Sequence, residues 1–278
     1  MTASVMTRLL PRATALIALA CAGAAAQEIV PLPAQAPAAV WEGAIGLTGA
    51  YRPEYPGAAK ASFKFTPALF VRYGRFTATN ASGFSTRRAD DVVRGLALDL
   101  VQSDELRINA ALRIDGGRSE SGSAELAGMG DIDPTLRTRL TADYRLDPVW
   151  RVGFNWSIDA LGRGGGNFGD IGVSWQHRFG PDTLLTAGAS LSAGGDRYMQ
   201  SYYGVTPEQA ARSVYPVYAP SAGLRDISAS INWRQDIDNE WIVLAGFGVS
   251  RLLGPAAASP LTYSRNGWAI NGGLARRF

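Results

Sequence analysis

The stretch "NGWAINGGLARRF", residues 266–278, alternates between large apolar side chains and small or polar ones. One parity carries the large apolar residues, which are Trp268, Ile270, Leu274 and Phe278. Asn271 and Arg277 lie on the other parity. Because successive side chains of a β-strand point to opposite faces, this pattern predicts a strand with one apolar face that ends on an aromatic residue.

The same alternation recurs from residue 41 onward and indicates a chain built almost entirely of half-buried strands. In "LRINAALRID", residues 106–115, leucine and isoleucine alternate with arginine, asparagine and aspartate. The stretch 75–80 has the weakest pattern, so ten strands is the alternative count. We predict strands near 41–51, 61–73, 75–80, 94–101, 106–115, 134–146, 149–161, 167–179, 182–193, 222–236, 240–252 and 266–278.

Three features favour a transmembrane barrel over a soluble sandwich, which would also alternate. The segments approach the ~9–11 residues that a tilted strand needs to cross a bilayer. Aromatic residues such as Trp41, Tyr51 and Tyr73 stand at the ends of the apolar faces, where interfacial girdles lie. The connections alternate between long and short. We therefore predict an all-β antiparallel outer-membrane barrel of about 12 strands, with long outer loops and short periplasmic turns.

In such a barrel the last strand pairs with the first, so that no strand edge is left inside lipid. An alternating C-terminal strand that ends in phenylalanine also resembles the form accepted by the barrel assembly machinery. Trp268, Ile270, Leu274 and Phe278 are thus the expected assembly signal. Outer-membrane lipids would contact the apolar face of the barrel.

The N-terminal segment is predicted to be a secretory signal peptide, residues 1–26. Arg8 and Arg12 precede a short apolar run that ends in alanines, and the only cysteine, Cys21, lies within it. A Pro/Ala-rich periplasmic leader at 27–40 and a barrel at 41–278 would follow. Removing two arginines from a formal charge of +3 leaves +1, so nothing points to nucleic acid.

Several stretches of this sequence resemble the MipA/OmpV family of outer-membrane proteins, whose name refers to an MltA-interacting protein. The matching stretches are "GMGDIDPTL" at 128–136, "YMQSYYGVTPEQAARS" at 198–213, "AGLRDI" at 222–227, "SRLLG" at 250–254, "SPLT" at 259–262 and the ending "GGLARRF". The resemblance covers about residues 41–278. The stretch "PAAA" at 255–258 departs from it, since acidic residues are expected there.

This resemblance implies a β-barrel in the outer membrane of a Gram-negative cell. The member that gives the family its name is described as a scaffold that joins a lytic murein transglycosylase to a murein synthase. Other members are described as surface antigens or adhesins, and some are linked to the response to antibiotics. A scaffold for murein remodelling is the first functional expectation, and a small-solute pore or a surface adhesin is the alternative.

Enzymatic chemistry finds little support in the residues. His177 is the only histidine, and its parity places it on the lipid side without a serine and an orienting group. The glycine-rich stretch 162–170 is followed by a strand rather than the helix that a phosphate-binding loop needs. Asp131 and Asp133 fit turn chemistry better than a metal site. We predict a non-enzymatic protein without a cofactor.

A tyrosine-rich loop is the first candidate site. Thr206 and the proline after it predict a helix cap followed by a short helix. Tyrosines surround this helix and would supply either a contact surface for a partner or a lid over the barrel mouth. These two roles do not exclude each other. The candidate residues are Tyr198, Tyr202, Tyr203, Thr206 and Glu208.

The barrel lumen is the second candidate site, because alternation turns many charged residues inward. A ring of positive side chains would tune a narrow anion-preferring path. The alternative is a cross-strand network of arginine and aspartate that fills a closed interior, which the small size of the barrel favours. The candidate residues are Arg107, Arg113, Arg137, Arg139, Arg145, Asp143 and Asp159.

Overall fold

The computed structural model describes residues 41–80 and 95–278. The predicted signal peptide at 1–26, the leader at 27–40 and the outer loop at 81–93 lie outside these residues and stay predictions.

The described residues form one closed barrel of 12 antiparallel strands, in which each strand pairs with its sequence neighbours. The predicted count of 12 and the weak third strand are confirmed, and the alternative of ten strands is wrong. The strands are β1 (Trp41–Pro53), β2 (Ala61–Tyr73), β3 (Phe76–Thr79), β4 (Gly95–Gln102), β5 (Leu106–Asp115), β6 (Thr135–Arg145), β7 (Trp150–Asp159), β8 (Asn167–Phe179), β9 (Thr183–Gly194), β10 (Gly223–Asp236), β11 (Trp241–Leu252) and β12 (Asn266–Arg277).

Strand β12 closes the barrel, because it pairs with β11 on one side and with β1 on the other. Its backbone contact with β1 extends to Phe278, whose N–H donates to the Gly43 carbonyl at 3.0 Å. The large apolar side chains of this strand and of the residue after it point outward and are exposed in the isolated chain: Trp268, Ile270, Leu274 and Phe278. Their role as an assembly signal stays a prediction.

The alternation of the sequence separates the two faces of the wall. Ile114 and Phe65 point outward and keep 79% and 69% of their surface exposed. Arg137 and Asn109 point inward and keep only 3%. An apolar outer face with a polar interior is the arrangement of a membrane barrel, the reverse of a soluble one.

The periplasmic turns are short because aspartates close them with local hydrogen bonds. Asp147 Oδ1 accepts the N–H of Val149 at 2.8 Å and that of Trp150 at 2.7 Å. Asp238 does the same for the residues two and three places further on, both at 2.7 Å. In these turns the aspartate side chain accepts hydrogen bonds that a backbone carbonyl would otherwise accept. The next strand can therefore begin directly after the turn.

The long outer loops carry the helices, which are α1 (Asp196–Tyr203), α2 (Pro207–Ala210) and α3 (Gly254–Ala257), and two 3₁₀ turns at Glu120–Gly122 and Ala124–Leu126. None of the helices in the described ranges has the length and apolar character needed to cross a membrane.

Candidate functional site

Four outer loops fold together over the barrel mouth and form what we call the outer lid, residues 54–60, 116–134, 195–222 and 253–265. The lid has an apolar core of its own, which distinguishes it from a set of separate loops. Leu126, Met129, Met199, Val205 and Leu261 retain at most 2% of their surface. Since these residues come from three of the four loops, burial of apolar surface holds the loops together.

Hydrogen bonds to backbone carbonyls also join the lid loops. Ser259 Oγ donates to the Tyr203 carbonyl at 2.6 Å, and Gln209 Nε2 donates to the Met129 carbonyl at 2.6 Å. The Tyr215 hydroxyl lies 2.6 Å from the Glu125 carbonyl oxygen. Each bond joins two different loops, so the loops do not move independently of one another.

Two arginines of the barrel wall attach α1 to the lumen. Arg137 pairs with Asp115 and donates to the Gly165 and Gly166 carbonyls at 2.8 and 3.0 Å. Its guanidinium lies 5.0 Å from the centre of the Phe168 ring and 5.9 Å from that of Tyr198 in α1. Arg225 donates to the Tyr198 hydroxyl at 3.0 Å. Cation–π and hydrogen-bonding contacts therefore act together at this point.

Glycine permits the closest approach between two lid loops. Gly128 has φ +83°, and a Cβ at this position would lie 2.4 Å from the Arg212 carbonyl oxygen. Arg212 Nε in turn donates to the Gly128 carbonyl at 2.8 Å. Only glycine meets both the left-handed backbone and the lack of space.

Burial in the lid keeps its tyrosines protonated. Burial and the neighbouring Glu125 carboxylate raise the pKa of Tyr55. Burial likewise raises the pKa of Tyr203, and burial with the hydrogen bond to Tyr263 raises that of Tyr215. Burial lowers the pKa of Arg118, which donates to the Tyr202 carbonyl at 3.0 Å.

The tyrosine-rich loop of the sequence is a central part of this lid. Tyr198 and Tyr203 are buried, and Tyr202 stacks on Tyr198 with ring centres 4.6 Å apart. Thr206 caps α2 through a reciprocal bond with Gln209. Glu208 is exposed, and hydrogen bonds from its own N–H and from Thr206 lower its pKa. These positions support the role of a lid, while partner binding by this loop stays a prediction.

The departure from the family pattern at residues 255–258 has a structural counterpart. This stretch overlaps α3, and Ala256 is fully buried against the apolar side of α1. Small apolar residues therefore contribute to the core of the lid at this position.

Arginines line the lumen along β5, β6 and β7. Arg113 lies directly opposite Arg137, and Arg145 lies directly opposite Arg151. Arg139 Nε donates to Asn155 Oδ1 at 3.2 Å. Asp159 accepts from Thr135 Oγ1 and from the N–H groups of the loop that follows it. Part of the predicted network is thus present, but Arg113 has no ion pair within the described part of the chain.

The adjoining wall of the lumen is built from small residues. Paired positions on β7 to β10 hold Gly153, Gly172, Ser190 and Ser228, and the Ser190 and Ser228 hydroxyls lie 2.9 Å apart. The small side chains leave a cavity of about 220 Å³ against Asp143, Asn155 and Asp170. Asn155 Nδ2 donates to Asp170 Oδ2 at 2.8 Å.

An apolar cluster inside the barrel was missed at the level of sequence. Phe70 and Ile242 are fully buried among Ala44, Ala68 and Ala275, near the periplasmic ends of their strands. Alternation places Phe70 among the inward-facing, polar positions of its strand. The pattern offered one weak signal of an apolar interior here, which is Ala68, two residues earlier on the same parity. The cluster fills this side of the lumen.

On the other side of the periplasmic end lies a pocket of about 560 Å³, which we call the vestibule. Strand β8 and the turns after β4 and β6 line it, and its charged groups are Asp104, Glu105, Arg145, Asp147, Arg151 and Arg178. His177 also lines it, and its ring packs between those of Trp175 and Phe179, at 5.6 and 4.6 Å. This aromatic packing fits an interfacial position.

A closed barrel with an apolar outer face, a polar lumen and long loops on one side defines an outer-membrane β-barrel. The family described as MltA-interacting protein MipA matches residues 45–278, and the chain belongs to this family. No curated protein matches the chain.

Several solved outer-membrane proteins are similar to this chain at very low identity. The NanC porin is 6% identical, with coverage of 84% of this chain and 98% of its own and a TM-score of 0.45. OmpT of Vibrio cholerae with loop L8 deleted is 7% identical over 86% and 98%, with a TM-score of 0.40. The KdgM porin is 8% identical over 86% and 99%, with a TM-score of 0.38.

Proposed function

We propose that this protein is a non-enzymatic interaction protein that holds a periplasmic partner at the inner end of its barrel. The observation that carries the proposal is the contrast between the two ends. The outer lid fills the mouth with a packed apolar core. The periplasmic end presents a concave, charged surface at the vestibule.

The charges around the vestibule support a protein contact. Within the described residues, the side chains of Asp104, Glu105 and Arg145 form no ion pair, so their charges remain available to a partner. Complementary charge gives specificity and speeds association more than it adds affinity. The description of the family, MltA-interacting protein, supports a murein-related partner. We propose a lytic transglycosylase and, through it, a murein synthase.

Capture of a purified transglycosylase by the refolded barrel tests this proposal. The double variant Asp104→Asn, Glu105→Gln should capture at least ~5-fold less at low salt, and deletion of 27–40 should weaken capture further. Arg276→Gln is the control, since this arginine points outward and lies at the same end. Capture that is unaffected by both changes would contradict the proposed contact.

A gated small-solute channel is the second candidate. Arg113 favours it, because this lumen arginine forms no ion pair among the described residues. An anion-selective path needs positive groups that are not already neutralised. If the lid opens, a salt gradient across a planar bilayer should give a reversal potential of anion-preferring sign. Arg113→Gln should reduce that potential, and an unchanged potential would argue against the path. The role of a surface adhesin or antigen stays a prediction.

A further inference from the structure

The outer wall of the barrel has a groove of about 750 Å³ over the place where the last strand closes on the first. Strands β1, β2, β11 and β12 line it, and a volume of this size lies within the ~300–1,000 Å³ of pockets that bind small molecules. The groove is separate from the vestibule and the lumen, because it opens toward lipid. Its large apolar side chains are Ile45, Leu47, Phe63, Phe65, Trp241 and Leu274.

The groove exists because small residues interrupt an otherwise bulky outer face. Gly49 lies directly opposite Gly272, and Ala245 lies opposite Gly272 on its other side. Ile270 and Leu274 flank Gly272 on the same parity and keep 53% and 46% of their surface exposed. The small positions therefore form a depression between rows of large side chains.

Two phenylalanines form the wall of the groove on the side of β2. The rings of Phe63 and Phe65 stack with their centres 5.3 Å apart. A Cβ at Gly49 would lie 3.1 Å from a ring carbon of Phe65, so this ring leans over the glycine. Because the wall consists of stacked rings, it gives the groove a defined shape.

The groove extends toward the periplasmic end of the barrel and has the scale of one leaflet. Gly272 to Arg276 on β12 is roughly 14 Å of strand, which a tilt of ~35–45° reduces to roughly 10 Å of membrane depth. One leaflet of a ~30 Å hydrocarbon core is ~15 Å deep. The groove thus covers about two thirds of the depth of the periplasmic leaflet.

The periplasmic end of the groove is polar. Arg276 is the charged residue among the described residues that line the groove, and it lies directly opposite Trp241. Its Nε and Nη2 both donate to Glu240 Oε2, at 2.9 and 2.8 Å. This pair is more than half exposed, so it is weak, and it leaves Arg276 Nη1 outside the hydrogen bonds of the described residues. A phosphate can accept from that nitrogen.

An occupant of this groove must be apolar along most of its length and anionic at its periplasmic end. A second copy of the barrel would present a convex wall, which does not enter a narrow groove. A single acyl chain does, and the interfacial tryptophan and arginine lie where its headgroup would be.

We propose that the groove binds one phospholipid of the periplasmic leaflet, with an acyl chain between Gly272 and the phenylalanine wall and the headgroup phosphate at Arg276. The site goes beyond the proposed function and does not depend on it, since no residue of the vestibule takes part.

Native mass spectrometry of the refolded barrel tests the site, with palmitoyl-oleoyl phosphatidylethanolamine added to a maltoside detergent. The parent should retain one phospholipid at saturation. Gly272→Leu fills the groove and should lower the retained fraction at least ~5-fold. A Cβ there meets only the Leu244 carbonyl oxygen, at 3.6 Å, so folding should be preserved. Leu47→Trp fills the groove from β1 and is the second variant.

Ala229→Leu is the matched control, because it adds bulk at an exposed, outward position of β10 that does not line the groove. It should leave retention unchanged, and heat-modifiable gel mobility checks that each variant is folded. Arg276→Gln should weaken retention at least ~3-fold, because the phosphate loses its donor.

Equal retention by both groove-filling variants and the control would overturn the proposal. A parent that takes up many phospholipids without saturation at one would also overturn it, since lipid would then only surround the wall. Unchanged retention by Arg276→Gln would contradict the placement of the headgroup.

Discussion

At the scale of single residues, Arg137 joins several separate parts of the molecule. It extends from β6 to the end of β5, to the turn after β7, and to the aromatic rings of Phe168 and of Tyr198 in the lid. Its guanidinium forms planar, directed bonds that a lysine would not reproduce. The attachment of the lid to the wall therefore depends strongly on this position.

We expect Arg137→Met to lower the free energy of unfolding by about 2 kcal/mol, because Asp115 and two carbonyl groups lose their donor. This loss is smaller than the ~3–5 kcal/mol expected when a fully buried ion pair is broken, because the Asp115 side chain keeps 24% of its surface exposed. Urea unfolding of the refolded barrel measures the change. Arg276→Met, which breaks an exposed pair, should change stability by no more than ~1 kcal/mol. Equal effects of the two substitutions would contradict this assignment.

Gly128 is the second residue whose replacement has a defined outcome. Gly128→Ala should destabilise the lid by about 1–3 kcal/mol, because it introduces both an unfavourable φ and a clash with Arg212. Limited proteolysis of the loop at 195–222 measures lid opening. Gly122→Ala is a matched control in the same loop as Gly128, since a Cβ there meets nothing within 4 Å. Similar cleavage rates for both variants would mean that the contact is not needed for closure.

At the scale of elements, the lid is a unit whose stability depends on neutral tyrosines. Buried Tyr55, Tyr203 and Tyr215 have raised pKa values in the folded lid. Below pH ~10 these phenols are protonated in both states, so their full contribution to stability is present. Above that pH the opened lid loses protons while the closed lid retains them, and opening becomes favourable.

We therefore expect the outer loops to become sensitive to protease as the pH rises above ~10. Tyrosinate absorbance of the lid tyrosines should rise only together with opening of the lid. Tyr215→Phe should lower this rise by the contribution of one phenol. Ionisation of the lid tyrosines while the outer loops still resist protease would contradict the prediction.

The elements differ in how far the sequence predicts them. The strands were predictable because alternation is local, and Leu106–Asp115 shows it without interruption. The packing of Leu126 with Val205 and Leu261 in one cluster could not be predicted, because contacts between distant loops produce no periodic pattern in the sequence. Phe70 was missed for a related reason, since a large apolar residue on the polar parity breaks the rule that reveals the strand. The pairing of Arg137 with Asp115 also required the three-dimensional register.

At the scale of the whole molecule, the two ends of the barrel differ in accessibility. The outer end is closed by a packed lid, and the Phe70 cluster fills one side of the periplasmic end. The vestibule lies on the other side of that end. We interpret the barrel as a molecule that receives its contacts from the periplasm, in agreement with the proposed partner.

Single-channel conductance in a planar bilayer tests this central claim most directly, with heat-modifiable gel mobility as the check of folding. The folded parent should be electrically silent at neutral pH, because the outer lid blocks the path through the lumen. Gly128→Ala, which loosens the lid, should show intermittent openings. Steady, long-lived conductance steps of the parent barrel would contradict the account, since they would require a continuous open path through the lid.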